Sequence, residues 1–287
     1  MRTLNGNPGA WILAALLAAC GGDPRAATAR NDTGSRAAAN AGTRAADTSA
    51  IPSTPLGASI RRGRAILLAT HDSLPENVGN GLRCVSCHLD EGRRPYAMPW
   101  TGVYARFPQF RSRSATINAL EDRINDCFER SLAGKALDLH SPAMHDMVAY
   151  MAWLSKGIPV GSRVAGQGID SLRSTGGDTV RGAAVWVQQC ARCHGENGQG
   201  QTIYPAVWGQ RSFSIGAGMA RPRTSSAFIR RNMPFDQPGT LSEQQANDVA
   251  SFVSTRPRPD YAPKSNDWPR GDPPADLPYK TNAGRKK

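Results

Sequence analysis

The sequence predicts an all-α fold: two tandem helical units of similar design, followed by an extended, proline-rich C-terminal tail. Three observations carry that expectation. The pattern C-x-x-C-H occurs twice, as CVSCH at residues 84–88 and CARCH at 190–194. A short amphipathic stretch precedes each copy: IRRGRAILLATHD before the first and RGAAVWVQQC before the second, where Gly182, Val185 and Trp186 share one face. A helical pattern then closes each half, SPAMHDMVAYMAWLSKG in the first and TLSEQQANDVASFVSTRP in the second.

The N-terminus comes first in chain order. Arg2 precedes the apolar run WILAALLAA (11–19), which is too short to span a bilayer and reads as a cleaved export signal. The sequence LAAC at 17–20 fits a lipoprotein cleavage box, so residues 1–19 are expected to be the signal peptide and Cys20 the lipidated first residue. Ordinary signal cleavage, with Cys20 discarded or buried, is the alternative. Gly21 at the next position points to outer-membrane sorting, giving an expected periplasmic, lipid-anchored location. Residues 20–56 are poor in large apolar side chains and show no periodicity, as in a flexible tether. The first unit is assigned to 57–160, a linker to 161–180, the second unit to 181–260 and the tail to 261–287, with Trp268 and Tyr279 as its anchors. The formal charge of +12 over 287 residues favours an anionic lipid or small anionic substrate. No helix-turn-helix, RNA-binding sheet or zinc-finger pattern accompanies it, which argues against nucleic acid.

C-x-x-C-H is the attachment pattern for c-type haem. Its two thiols add to the vinyl groups and its histidine binds iron. One copy alone could be a thioredoxin-like or zinc pair; two copies in an exported chain favour two covalent haems c. These would be held by Cys84, Cys87 and His88, and by Cys190, Cys193 and His194, in two class I cytochrome c-like domains. Pro99 and Pro205 each lie eleven residues after their histidine, where a carbonyl can fix the imidazole. Ser141 is the expected N-cap of the first closing helix, with Pro142 at its first position and Gly157 past its end. Thr240 and Glu243 are the expected capping box of the second.

A second axial ligand is found by comparing the halves. Met233, before Pro234, lies 39 residues after His194 and is the expected distal ligand there, with Met219 as its competitor. The same offset from His88 lands on Cys127, expected as a thiolate ligand to the first iron. A buried free cysteine is the alternative, with His140, His145, Met144 and Met98 as other candidate ligands; His71 reads as a surface residue. Thiolate favours ferric iron and methionine raises the potential, so electrons should pass from the first haem to the second.

Residues 114–133 show helical spacing, with Leu120, Ile124 and Phe128 on one side and Gly134 as a stop. Arg123, Cys127 and Ser131 are then i, i+4 neighbours, bringing a cation and a hydroxyl to either side of the sulfur. Arg93, Arg94, Arg106, Arg111 and Arg113 lie just upstream. Such a run is commonly a solvated face, but guanidinium forks beside a redox-active sulfur also suit a small sulfur oxyanion.

LEDRINDCFERSLAGKAL, the CHL-x-x-G after the first motif, IGAGMARP, NMPF and DWPRG…DLPY resemble the dihaem thiosulfate dehydrogenase family, over about residues 57–280. The resemblance implies His/Cys ligation of the first haem and His/Met ligation of the second. It further implies substrate contacts from Arg113, Arg123 and Ser131 beside Cys127, and oxidation of two thiosulfates to tetrathionate, which some members run in reverse. An external acceptor, another cytochrome or similar carrier, would take the electrons. Members that exchange distal ligands carry lysine before the methionine, and here Asn232 stands in its place. The alternatives are a sulfur-oxidation cytochrome that transfers a thiosulfate-derived group to a carrier protein, and a non-catalytic dihaem electron carrier. A dihaem peroxidase finds no support.

Overall fold

The computed structural model describes residues 47–173 and 175–283. The expected signal peptide, Cys20 and the tether up to residue 46 lie outside the described residues. Among the described residues, no helix is long and apolar enough to cross a membrane.

Helix α1, Pro55–Leu68, opens with Thr54 accepting from the Gly57 N–H and with Pro55 in its first turn. Just before it, Ile51 is already buried in the first core. The strands β1 (Gln109–Arg111) and β2 (Thr116–Asn118) form an antiparallel hairpin that pairs Phe110 with Ile117. Helix α2, Leu120–Asp126, follows, with the Asp122 carboxylate accepting from the Ala119 N–H. The helix expected from residue 114 therefore starts six residues later. Thr116 and Ile117 are β-branched, and Ser114, Thr116 and Asn118 hydrogen-bond one another, which favours the hairpin. Helix α3, Pro142–Leu154, has the expected Ser141 cap and Pro142 start.

The second unit repeats the plan with α4 (Thr179–Val185), α5 (Pro222–Asn232) and α6 (Glu243–Ser254). The expected Thr240–Glu243 capping box is displaced by two residues. Ser242 and Gln245 form it, while the Thr240 hydroxyl donates to the Gln237 carbonyl. Two tandem helical units, with one small hairpin among the described residues, are thus the architecture.

Both units close by the same contact, which the sequence did not reveal. In the first, Gly63 lets α1 approach α3 so closely that an added Cβ would stand 1.8 Å from the Asp146 carbonyl oxygen. Beside it, Arg62 grips the Asp146 carboxylate through two bonds of 2.8 and 2.9 Å. In the second, a Cβ on Gly182 would lie 2.1 Å from the Asp248 carbonyl oxygen, and Arg181 grips Asp248 at 2.7 and 2.9 Å. An Arg-Gly pair on the first helix and an aspartate on the last set each helix crossing.

The units share a broad contact. Asn80 donates to the carbonyls of Ser131 and Ser212, both at 2.9 Å. The linker runs alongside the first unit, with Tyr96 and Met98 N–H groups donating to Gly166 and Gly168. Residues 257–283 lie across both units: the Gly209 and Ile215 N–H groups donate to Pro257 and Pro259, and the Trp268 N–H donates to Arg113.

Candidate functional site

The first C-x-x-C-H motif is fixed from below by Thr70, fully buried, whose hydroxyl donates to Leu67 and accepts from the Cys84 N–H. His88 Nδ1 donates to the Met98 carbonyl at 2.6 Å. The expected acceptor was Pro99, one residue on. The chain is left-handed at Met98 (φ 52°), which turns that carbonyl rather than the proline's toward the imidazole. In the second unit the expectation holds: His194 Nδ1 donates to Pro205 at 2.8 Å. Aromatic rings back both histidines, with Trp100 5.1 Å from His88 and Trp186 6.1 Å from His194 between ring centroids.

Cys127 arises where α2 widens. Residues Cys127–Ser131 form a π-helical turn, closed by the Leu132 N–H on the Cys127 carbonyl at 2.9 Å. π-Turns inserted into α-helices are frequent at functional sites because they redirect side chains. Here Cys84, Cys87, His88, Arg123, Cys127 and Ser131 all line one cavity of about 160 Å³. Its other walls are largely apolar, from Leu67, Leu82, Trp100, Leu120, Ile124 and Phe128. Arg123 Nη1 donates to Cys127 Sγ at 3.1 Å. The Cys127 charge, acting against burial, raises the Arg123 pKa.

These residues fit a covalently held haem. Burial pushes the Cys84 and Cys87 thiols up to about 12, and Cys127 adds to both shifts, so three sulfurs face one low-dielectric space. Burial lowers His88 to about 4, leaving a neutral imidazole, the form that binds iron. Burial likewise lowers His194. The indole N–H of Trp186, buried beside His194, finds no acceptor among the described residues, as expected where a cofactor supplies a polar group.

Other expected site residues are distributed as follows. Arg113 lies outside the cavity lining: it donates to the Gly216 carbonyl at 2.8 Å and its guanidinium sits 4.6 Å from the Trp268 ring. Burial, then the nearby Arg130, lowers it to about 10. Arg111 is close enough to Arg123 and Arg106 for both to add to the lowering that its own burial causes. Met233 follows α5 and packs with Met98 and Met219 around Leu89, Ala97 and Phe228. Met219, the competitor for the second haem, lines the first cavity instead. His71, His140 and His145 are exposed, and Met144 is fully buried in the first core. Asn232 is buried, its amide donating to Phe228 and Tyr96 carbonyls. A larger polar groove of about 580 Å³ runs past His71, Arg83, Ser86, Tyr204 and Arg211, but no cysteine lines it.

Residues 76–160 match the family described as SoxA/TsdA, cytochrome c domain, and residues 177–253 match cytochrome C oxidase, cbb3-type, subunit III. A thiosulfate dehydrogenase of Psychrobacter arcticus is 46% identical over 80% of this chain and 73% of its own. One of Allochromatium vinosum is 46% identical over 76% of this chain and 84% of its own. Among solved structures, the thiosulfate dehydrogenase TsdBA of Marichromatium purpuratum superposes with a TM-score of 0.70 at 33% identity. The match covers 72% of this chain but 47% of that one, so the present chain spans about half of its length.

Proposed function

The chain belongs to the thiosulfate dehydrogenase family, and from that premise we propose that it oxidises two thiosulfates to tetrathionate in the cavity beside Cys127. One sulfur–sulfur bond forms, none breaks, and two electrons leave for an external acceptor, another cytochrome or similar carrier. When bound, the two haems c supply two one-electron acceptors, matching that count. The ligand set is proposed as His88 and Cys127 for the first iron and His194 and Met233 for the second.

The chain's own task is to bring two dianions together. Each pair of unit charges 4 Å apart costs about 4 kcal/mol at an effective dielectric near 20. Arg123 offsets that repulsion with a fixed positive charge, and Ser131 adds a neutral donor. Arg111, close to Arg123, Cys127 and Arg106, adds positive charge beside the site and raises the local concentration of anions. The apolar walls exclude water and strengthen each of these interactions. Among these features, the one that carries the reading is the 3.1 Å contact between Arg123 and the Cys127 sulfur inside the cavity lined by the first haem motif. Location in the periplasm, through a lipid on Cys20, is proposed from the LAAC cleavage box alone.

The test is to mix oxidised holoprotein with thiosulfate and follow haem absorbance, with ferricyanide as the sole acceptor for turnover. Thiosulfate-dependent reduction and tetrathionate formation without a carrier protein are expected. No reduction would leave a plain electron carrier, and turnover only with a carrier protein would indicate group transfer.

A further inference from the structure

We propose that the C-terminal segment is a strap that positions the Cys127 sulfur, through a buried Arg130–Asp267 pair capped by Tyr279. The inference rests on the reading of Cys127 as the distal ligand of the first iron.

The π-turn is one residue wider than an α-turn, so the direction of its side chains depends on what holds it from outside. Arg130 lies within that turn, between Cys127 and Ser131. Its guanidinium meets Asp267 in two parallel bonds of 2.8 Å, and the two side chains are 10% and 5% exposed. The Tyr279 hydroxyl donates to the same carboxylate at 2.6 Å, and the Tyr261 ring lies 4.3 Å from the guanidinium. The backbone is held too, with the Ser214 N–H on the Arg130 carbonyl at 3.1 Å and Asn80 on the Ser131 carbonyl. None of Arg130, Asp267 and Tyr279 lines the cavity. These are positioning residues: a fork-to-fork pair fixes both distance and plane, and so the rotation of the turn that aims Cys127 inward.

Removing one partner of a buried ion pair destabilises any protein, so stability alone does not test the idea. Cys127 itself must be read. In the holoprotein Cys84, Cys87, Cys190 and Cys193 are consumed as thioethers, and alkylation of Cys127 by iodoacetamide can be followed by peptide mass spectrometry. Asp267→Asn and Tyr279→Phe are compared with wild type, and Asp146→Asn serves as control because it breaks a two-bond pair between an exposed Arg62 and a buried aspartate in the same unit, away from the turn. Alkylation of Cys127 is expected to rise about tenfold or more in Asp267→Asn and less in Tyr279→Phe. Low-temperature EPR of the oxidised first iron should show more than one ligand geometry in both, and Asp146→Asn should match wild type. Wild-type alkylation and spectra in the strap variants would overturn the proposal, as would an equal rise in Asp146→Asn. Should Asp267→Asn fail to accumulate as holoprotein, Tyr279→Phe decides, since it removes one hydroxyl and keeps the ring. Free alkylation of Cys127 in the wild type, with no thiolate signature, would instead sink the functional reading.

Discussion

The Arg123 guanidinium spends one nitrogen on the Cys127 sulfur and keeps other N–H donors for an oxyanion. Its raised pKa means that it stays charged at any working pH. Arg123→Gln should therefore lower kcat/KM for thiosulfate about a hundredfold, the scale for loss of one positioned donor to a charged group. Arg123→Lys should recover part of the loss, since it keeps the charge without the fork. Ser131→Ala removes one neutral donor and should cost about tenfold or less. Steady-state kinetics on the three variants check the order, and a Ser131 effect exceeding that of Arg123 would contradict it. The place of Cys127 beside the first C-x-x-C-H motif was legible in the sequence, from the offset to His88 that matches the one from His194 to Met233. The acceptor for His88 was not legible: whether the Met98 or Pro99 carbonyl faces the imidazole depends on one left-handed dihedral, which spacing does not encode.

Among the elements, the two helix crossings are governed by glycine and aspartate together. Alanine for glycine in a helix ordinarily stabilises by about 1 kcal/mol. At Gly63 the new Cβ would meet backbone at 1.8 Å, so overpacking of about 1–3 kcal/mol should reverse that sign. Gly63→Ala should thus lower the Tm by a few degrees in calorimetry, whereas Gly218→Ala, with open space around it, should not. Burial by itself would raise the Asp146 pKa, but hydrogen bonds from Arg62 and Ser59 outweigh it and leave it lowered. The same balance, with Arg181, the Asp178 N–H and Gln244, lowers Asp248. A depressed carboxylate stabilises the fold above its unfolded value of about 3.9, and that contribution disappears as pH falls through the folded value. Chemical denaturation as a function of pH should show stability falling below about pH 4, with a shallower acid limb in Asp146→Asn. An unchanged limb would remove Asp146 from the account. Sequence reading located these helices from their apolar spacing and the Ser141 cap. It missed the Arg-Gly and aspartate pairing because neither residue is unusual until the two helices touch. It also extended α2 back over residues 114–119, where β-branched side chains and mutual hydroxyl bonds outweigh helical spacing.

Across the whole molecule the two haem units are more tightly joined than a glycine-rich linker suggests. Tyr96 lies 4.5 Å from the Arg231 guanidinium and Phe235 lies 4.8 Å from that of Arg94, so first-unit and second-unit rings and cations interleave. Asn80 bridges the carbonyls of Ser131 and Ser212 while its own oxygen accepts from the Leu82 N–H, which satisfies the amide on three sides. The Gly81 N–H adds a bond to Arg211, and Arg130 ties the first unit to Asp267. Linked by so many buried polar contacts, the units should not unfold separately. Denaturant titration should give coincident transitions by haem absorbance, tryptophan fluorescence and far-UV circular dichroism. Asn80→Ala leaves two buried carbonyls without that donor, at about 1–3 kcal/mol, and the cost falls on the shared contact rather than on either core. That substitution should therefore separate the transitions, with the second unit, whose core is the smaller, melting first. Two transitions in the wild-type protein would mean that the units unfold independently, and one undisturbed transition in Asn80→Ala would mean that their coupling comes from elsewhere than this contact.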